Sequence, residues 1–82
     1  MDTKDWNAWV WIRWKPGATS TAWETWRNND QIKWAWSTQG DWDCCLCLNV
    51  SDHDGLEEFV WKNIRNNEWV QNTRTMWAKK WW

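Results

Sequence analysis

Residues 51–66 read SDHDGLEEFVWKNIRN, and this stretch decides the fold. Leu56, Phe59, Val60 and Ile64 recur at i, i+3 and i+4 spacing, which lays one apolar stripe along a helix. Glu57 and Glu58 fall on its solvated side. Ser51-Asp52-His53-Asp54 supplies helix-start chemistry, with Ser51 and Asp54 spaced as a capping box, so a helix is predicted over 52–66. Working outward, Trp42 to Val50 (WDCCLCLNV) reads as the strand before it, and Glu68 to about Lys80, rich in Thr, Val and Trp, as the strand after it.

The first half of the chain repeats that grammar. Asn7 to Trp14 (NAWVWIRW) is bulky and β-branched, with apolar residues on both parities, which predicts a strand covered on both faces. Lys15-Pro16-Gly17 breaks it. Ala22, Trp23 and Trp26 then fall at helical spacing behind several Ser/Thr caps, predicting a first helix over Ala18 to Asn28. Gln31 to Thr38 is a second strand, with Ile32, Trp34 and Trp36 alternating against Lys33, Ala35 and Ser37. Gln39-Gly40-Asp41 is a short hairpin turn. The order β-α-β-β-α-β predicts an α+β class fold of ferredoxin-like type: a four-stranded antiparallel sheet with two helices on one face. The opposite face is left bare and aromatic, too large an apolar patch for a soluble monomer, so pairing of two sheets into a dimeric α+β barrel is expected.

Composition sets the bounds. Eighty-two residues make one domain, assigned here to 1–82, with a small core that gains from association. Fourteen residues are Trp, none is Tyr and only Phe59 is Phe, far outside average usage. Either the Trp set was imposed on an existing scaffold, by redesign or by misassigned residues, or it forms a dedicated aromatic surface. In both readings Trp positions report the fold better than Trp identity reports function. The mean hydropathy of −0.97 suggests disorder only because that scale scores Trp as mildly polar, whereas Trp buries a very large apolar area.

Net charge is −1, from 10 basic and 11 acidic residues, which offers no basic face to displace counterions from phosphates. No nucleic-acid partner is expected. Neither a ~20-residue apolar span nor a signal-peptide core after Met1 is present, so no membrane role is expected. Three Cys crowded at Cys44, Cys45 and Cys47 make no disulfide framework, and a reduced, cytoplasmic setting follows.

Four signals occur in one order. They are Lys15-Pro16-Gly17 after strand one, Gly40-Asp41-Trp42-Asp43 at the hairpin, Asp54-Gly55-Leu56-Glu57-Glu58-Phe59-Val60 in the second helix, and Thr73-Arg74-Thr75-Met76 in the last strand. Together, from about Asn7 to Lys80, they resemble the effector-binding (RAM) domain of the Lrp/AsnC regulators. The resemblance implies a sheet-to-sheet dimer, a ring of dimers, and a small ligand, typically an amino acid, held at contacts between dimers. With strand one at the start of the chain, a stand-alone form without a helix-turn-helix is expected, with full-length Lrp/AsnC-type regulators as further partners. The sequence departs from the family at Trp9, Trp11, Trp34, Trp36, Trp42 and Trp77, where aliphatics or Tyr would stand.

The effector site implied by the resemblance comprises Gly40, Asp41, Trp42 and Asp43. Backbone N–H groups near Gly40 would hold a carboxylate, and Asp43 would hold an ammonium. Thr73 and Thr75, hydroxyls at i and i+2, would complete the polar lining. Against this, Gly40 and Asp43 also serve a plain turn and its cap, and the threonines serve β-propensity.

Cys45 and Cys47 share a strand face and Cys44 points away, a poor arrangement for a metal; small buried hydrophobes are the better reading. His53 is the sole His and reads as a surface residue. No nucleophile–base pair can be named, so neither an enzyme, a metal site nor a cofactor is predicted. Lys79-Lys80-Trp81-Trp82 reads as a frayed tail. The competing function is a purely structural or engineered homo-oligomeric assembly that binds no ligand.

Overall fold

The elements run β1 (Trp6–Trp14), α1 (Thr21–Glu24), β2 (Ile32–Ser37), β3 (Cys44–Leu48), α2 (His53–Phe59) and β4 (Val70–Lys79), and α2 runs on as a π-helical turn at Val60–Ile64. They are seen in a computed structural model that describes residues 5–82. The domain assignment over 1–82 therefore includes residues 1–4, which lie outside the described residues, as does the chain start at Met1. The sheet order is β2-β3-β1-β4, and each neighbouring pair is antiparallel. This is the α+β, ferredoxin-like arrangement expected from the element order, with β1 and β3 central.

Register assigns the faces. Ala8, Val10 and Ile12 pair with Leu48, Leu46 and Cys44 on one side and with Trp77, Thr75 and Thr73 on the other. Ala8, Val10, Ile12, Leu46 and Leu48 form the core together with Trp26, Leu56, Phe59, Val60 and Ile64, so this is the face both helical segments cover. Phe59, Ile12, Leu56 and Ile64 are fully buried, and each such side chain contributes roughly 1.5–3 kcal/mol by leaving water.

Three local features differ from the sequence expectations. The first helix is a single turn rather than an element spanning 18–28. Beyond Thr25 the bonds run from Trp26 N–H to Trp23 O, Arg27 N–H to Glu24 O and Asn29 N–H to Trp26 O, three residues apart. Thr19, Thr21 and Thr25 are β-branched and stiff at χ1, which weakens helix propagation there. Side chains hold the turn in place instead. The Trp26 indole N–H donates to Asn63 O at 2.9 Å, the Asn67 amide to Ala22 O, and the Asn29 amide to Asn63 Oδ1 at 3.3 Å.

The N-cap of the second helix is Asp52, one residue beyond the Ser51 of the capping-box reading: the Asp52 carboxylate accepts from Gly55 N–H at 2.7 Å. Its last turn widens, with Arg65 N–H donating to Val60 O five residues back. In β2 the strict alternation fails. The register slips between Ile32 and Trp34, so Ile32 opposes Leu48 and joins the core, whereas Trp34 and Trp36 oppose Cys47 and Cys45 on the other face.

Candidate functional site

The β2–β3 connection is tied firmly to the end of β1. Thr38 N–H donates to Asp43 O at 3.0 Å and the Thr38 hydroxyl to Trp42 O at 2.7 Å, closing the loop. Asp43 N–H donates to Ile12 O at 2.9 Å, and the Asp43 carboxylate accepts from Trp14 N–H at 2.8 Å. The Arg13 guanidinium donates through Nε (2.9 Å) and Nη2 to Asp41 O, and it lies 5.2 Å from the Trp42 ring centroid. Gly40 adopts φ 110°, a region that L side chains rarely enter, and no atom stands within 4 Å of where its Cβ would be. The loop thus presents an open backbone apex, a half-buried indole and a carboxylate with one oxygen committed to the protein.

Gly40, Asp41, Trp42 and Asp43 are therefore gathered in one place. Thr73 and Thr75 are not with them. They lie on β4, at the opposite edge of the sheet from β2, and border a recess of about 150 Å³ with Leu56, Glu57, Val60, Trp61 and Arg65. Within one chain the six residues form two separate surfaces.

Beside the hairpin opens a larger cleft, of about 540 Å³, between α1 and the helix side of β2. Trp14 stacks on Trp26 (centroids 5.4 Å, 28°) and tilts against Trp23 (5.3 Å, 45°), and these rings form one wall. Sequence reading assigned Trp23 and Trp26 to a longer helix and so missed the cleft. The signal available was the run of threonines that keeps α1 short.

Cys44 borders this cleft. Its thiol is pushed up to about 12, first by burial and then by neighbouring Cys45 and Asp43, against a lowering contact from Trp14. Burial also raises Cys45 and Cys47. The thiols therefore stay protonated near neutral pH, which suits small hydrophobes and not nucleophiles or metal ligands. Among the described residues no group of three or more His, Cys, Asp or Glu is placed to hold a metal ion. His53 is exposed, with Nε2 3.2 Å from Glu57 on the same helix.

The face away from the helices carries two cross-strand rows. One runs Trp34, Cys47, Trp9, Met76 and the other Trp36, Cys45, Trp11, Arg74. Trp34 and Trp36 are 58% and 57% exposed, yet Cys47 and Cys45 between the indoles are buried. The thiols are covered by their neighbours, not by a second layer of protein. The indole N–H groups of Trp11 and Trp77 are buried without an acceptor among the described residues, so these rings serve bulk rather than hydrogen bonding. No helix among the described residues is long and apolar enough to cross a membrane.

Residues 7–80 match the family model for the Lrp/AsnC ligand-binding domain. The chain belongs to this family. Solved structures agree on the fold. A protein from Thermus thermophilus superposes with a TM-score of 0.79 at 23% identity, covering 94% of this chain and 96% of that one. Escherichia coli AsnC gives 0.77 at 18% identity over 93% of this chain, and a feast or famine regulatory protein from M. tuberculosis, complexed with L-methionine, gives 0.76 at 20% over 94%. The chain spans 52% of each of those last two regulators. No curated protein sequence matches it. In this Lrp/AsnC ligand-binding domain, Trp9, Trp11, Trp34 and Trp36 stand on the bare sheet face and Trp14, Trp23 and Trp26 cluster at α1.

Proposed function

We propose that this chain is an amino-acid effector-binding and self-assembling module of Lrp/AsnC type, acting as one domain and without catalysis. The observation that carries the reading is the hairpin. Gly40 exposes backbone at a positive φ, and Asp43, fixed by Trp14 N–H, keeps one carboxylate oxygen without a hydrogen bond among the described residues. That pairing suits a zwitterion, its carboxylate on backbone N–H groups and its ammonium on Asp43. The family match and the L-methionine complex of the M. tuberculosis neighbour support the ligand class.

Two copies pair through the Trp9/Trp11/Trp34/Trp36 face, and the pairs close into a ring. A ring also answers the separation of Thr73 and Thr75 from the hairpin, because a neighbouring copy supplies the second surface. Full-length Lrp/AsnC regulators are the matching protein partners, in the cytoplasm, with neither nucleic acid nor membrane bound directly. Calorimetric titration of the assembled chain with the twenty amino acids tests the ligand: heat is expected with at least one, and no heat with any removes the effector role. The exposed tryptophan rows favour a second reading, a structural assembly that takes no ligand; it is distinguished by intact assembly with no heat in the same titration.

A further inference from the structure

The cleft beside the hairpin has a cause in the chain. Because α1 is a single turn, it stops short of β2. Ala35 and Ser37, which pair with Leu46 and Cys44 on the core side of the sheet, remain exposed. What remains is a trough of about 540 Å³, within the range of small-molecule sites, and its floor includes Ile32, Cys44 and Leu46. The wall facing β2 is aromatic, formed by Trp14, Trp23 and Trp26 held edge and face against one another.

Its charge is uneven along its length. Asp43 stands at the hairpin end of β2, while Arg27 stands toward the strand's other end; Lys33 borders that end too, but its ammonium reaches Asn7 Oδ1 and the Trp34 ring on the far side of the sheet. Both cations have partners: Arg27 pairs with Glu24 at 3.3 Å, and Lys33 donates to Asn7 Oδ1 at 3.3 Å. Trp14 connects wall and acid, since its backbone N–H holds the Asp43 carboxylate at 2.8 Å while its ring stacks in the wall. A ligand with an ammonium at one end therefore meets carboxylate and indole together, and the flat body behind that ammonium meets ring faces.

We propose that the effector of this chain is an aromatic amino acid, its ring seated between β2 and the Trp14/Trp23/Trp26 wall and its ammonium on Asp43. This deepens, and rests on, the effector-binding reading above. A ring offers two faces to stack, whereas a branched aliphatic side chain leaves part of so wide a trough unfilled.

The test is calorimetric titration of the full chain with L-tryptophan, L-phenylalanine, L-leucine, L-methionine and phenethylamine. The aromatic amino acids should bind about tenfold or more tightly than leucine and methionine. Trp23→Ala, at a ring 40% exposed and so tolerable to the fold, should weaken the aromatic ligands by about tenfold. Trp82→Ala, at a ring 92% exposed that borders neither the trough nor the Thr73/Thr75 recess, should leave them unchanged, and circular dichroism checks both variants for native structure. Leucine or methionine binding as tightly as the aromatic pair would overturn the aromatic assignment while leaving the effector reading intact. Heat with phenethylamine but with no amino acid would overturn the effector reading and the amino-acid assignment together. No heat with any of the five would overturn the proposed site itself.

Discussion

On the helix side of the sheet, Ala8, Val10, Ile12, Leu46 and Leu48 interlock with Leu56, Phe59 and Ile64; on the other side, Trp9, Trp11, Trp34 and Trp36 stand in two rows over buried Cys45 and Cys47. The same strands supply both faces, one residue out of phase. The aliphatic face is finished within the chain, because varied small shapes fill the space beneath α2. The aromatic face is unfinished. Its outer indoles are more than half exposed, with the Lys33 ammonium 6.0 Å from the Trp34 ring centroid. A face of that kind is stable in water when a like face covers it.

The contrast breaks most sharply at Phe59, which is fully buried beneath the sheet. Phe59→Ala should cost about 3–5 kcal/mol, read as a fall in the urea midpoint with the slope unchanged. A loss below about 1 kcal/mol would mean that the helix face is not the core. Trp34→Glu combined with Trp36→Glu should have the opposite signature: circular dichroism retained and self-association lost, because charge is placed on an unfinished surface. If the doubly substituted chain assembles as before, the aromatic face is not the contact. A smaller effect is expected at the start of α2, where Asp52→Ala removes the carboxylate that caps Gly55 N–H and should cost about 1 kcal/mol.

The most graded effect concerns the thiols. Cys44 ionises near 9.0 when unfolded and near 12 when folded, so the folded chain keeps a proton that the unfolded chain gives up. Its contribution to stability is whole below pH 9 and is lost as the pH climbs toward 12. Thermal melts across that interval should show a progressive fall. In the same terms, alkylation of the folded protein near neutral pH should be slow for all three cysteines and fast in urea. Rapid modification of native Cys45 or Cys47 would show that the indole rows do not cover them.

Much of this was legible in the sequence. The stripe Leu56, Phe59, Val60, Ile64 announced α2, and the bulky β-branched run Asn7 to Trp14 announced a strand, although only its Ala8/Val10/Ile12 face is covered by helices within the chain. The phase of β2 was not legible, since a one-residue slip at Lys33 sends Ile32 to the core and Trp34 away from it, and no turn residue marks the slip. The length of α1 was hidden for a different reason. Trp23 and Trp26 look like a helical stripe, but their rings are fixed by Trp14 and by Asn63, contacts made far along the chain. The candidate site divides the same way. Gly40 to Asp43 could be read locally, whereas Ser37, Cys44 and the tryptophan wall become neighbours only because α1 is short.

Light scattering on the purified chain is the most direct measurement of whether the tryptophan face is an interface. A molar mass that is an even multiple of 10.2 kDa is predicted. A particle of 10.2 kDa that persists as concentration is raised would contradict the account.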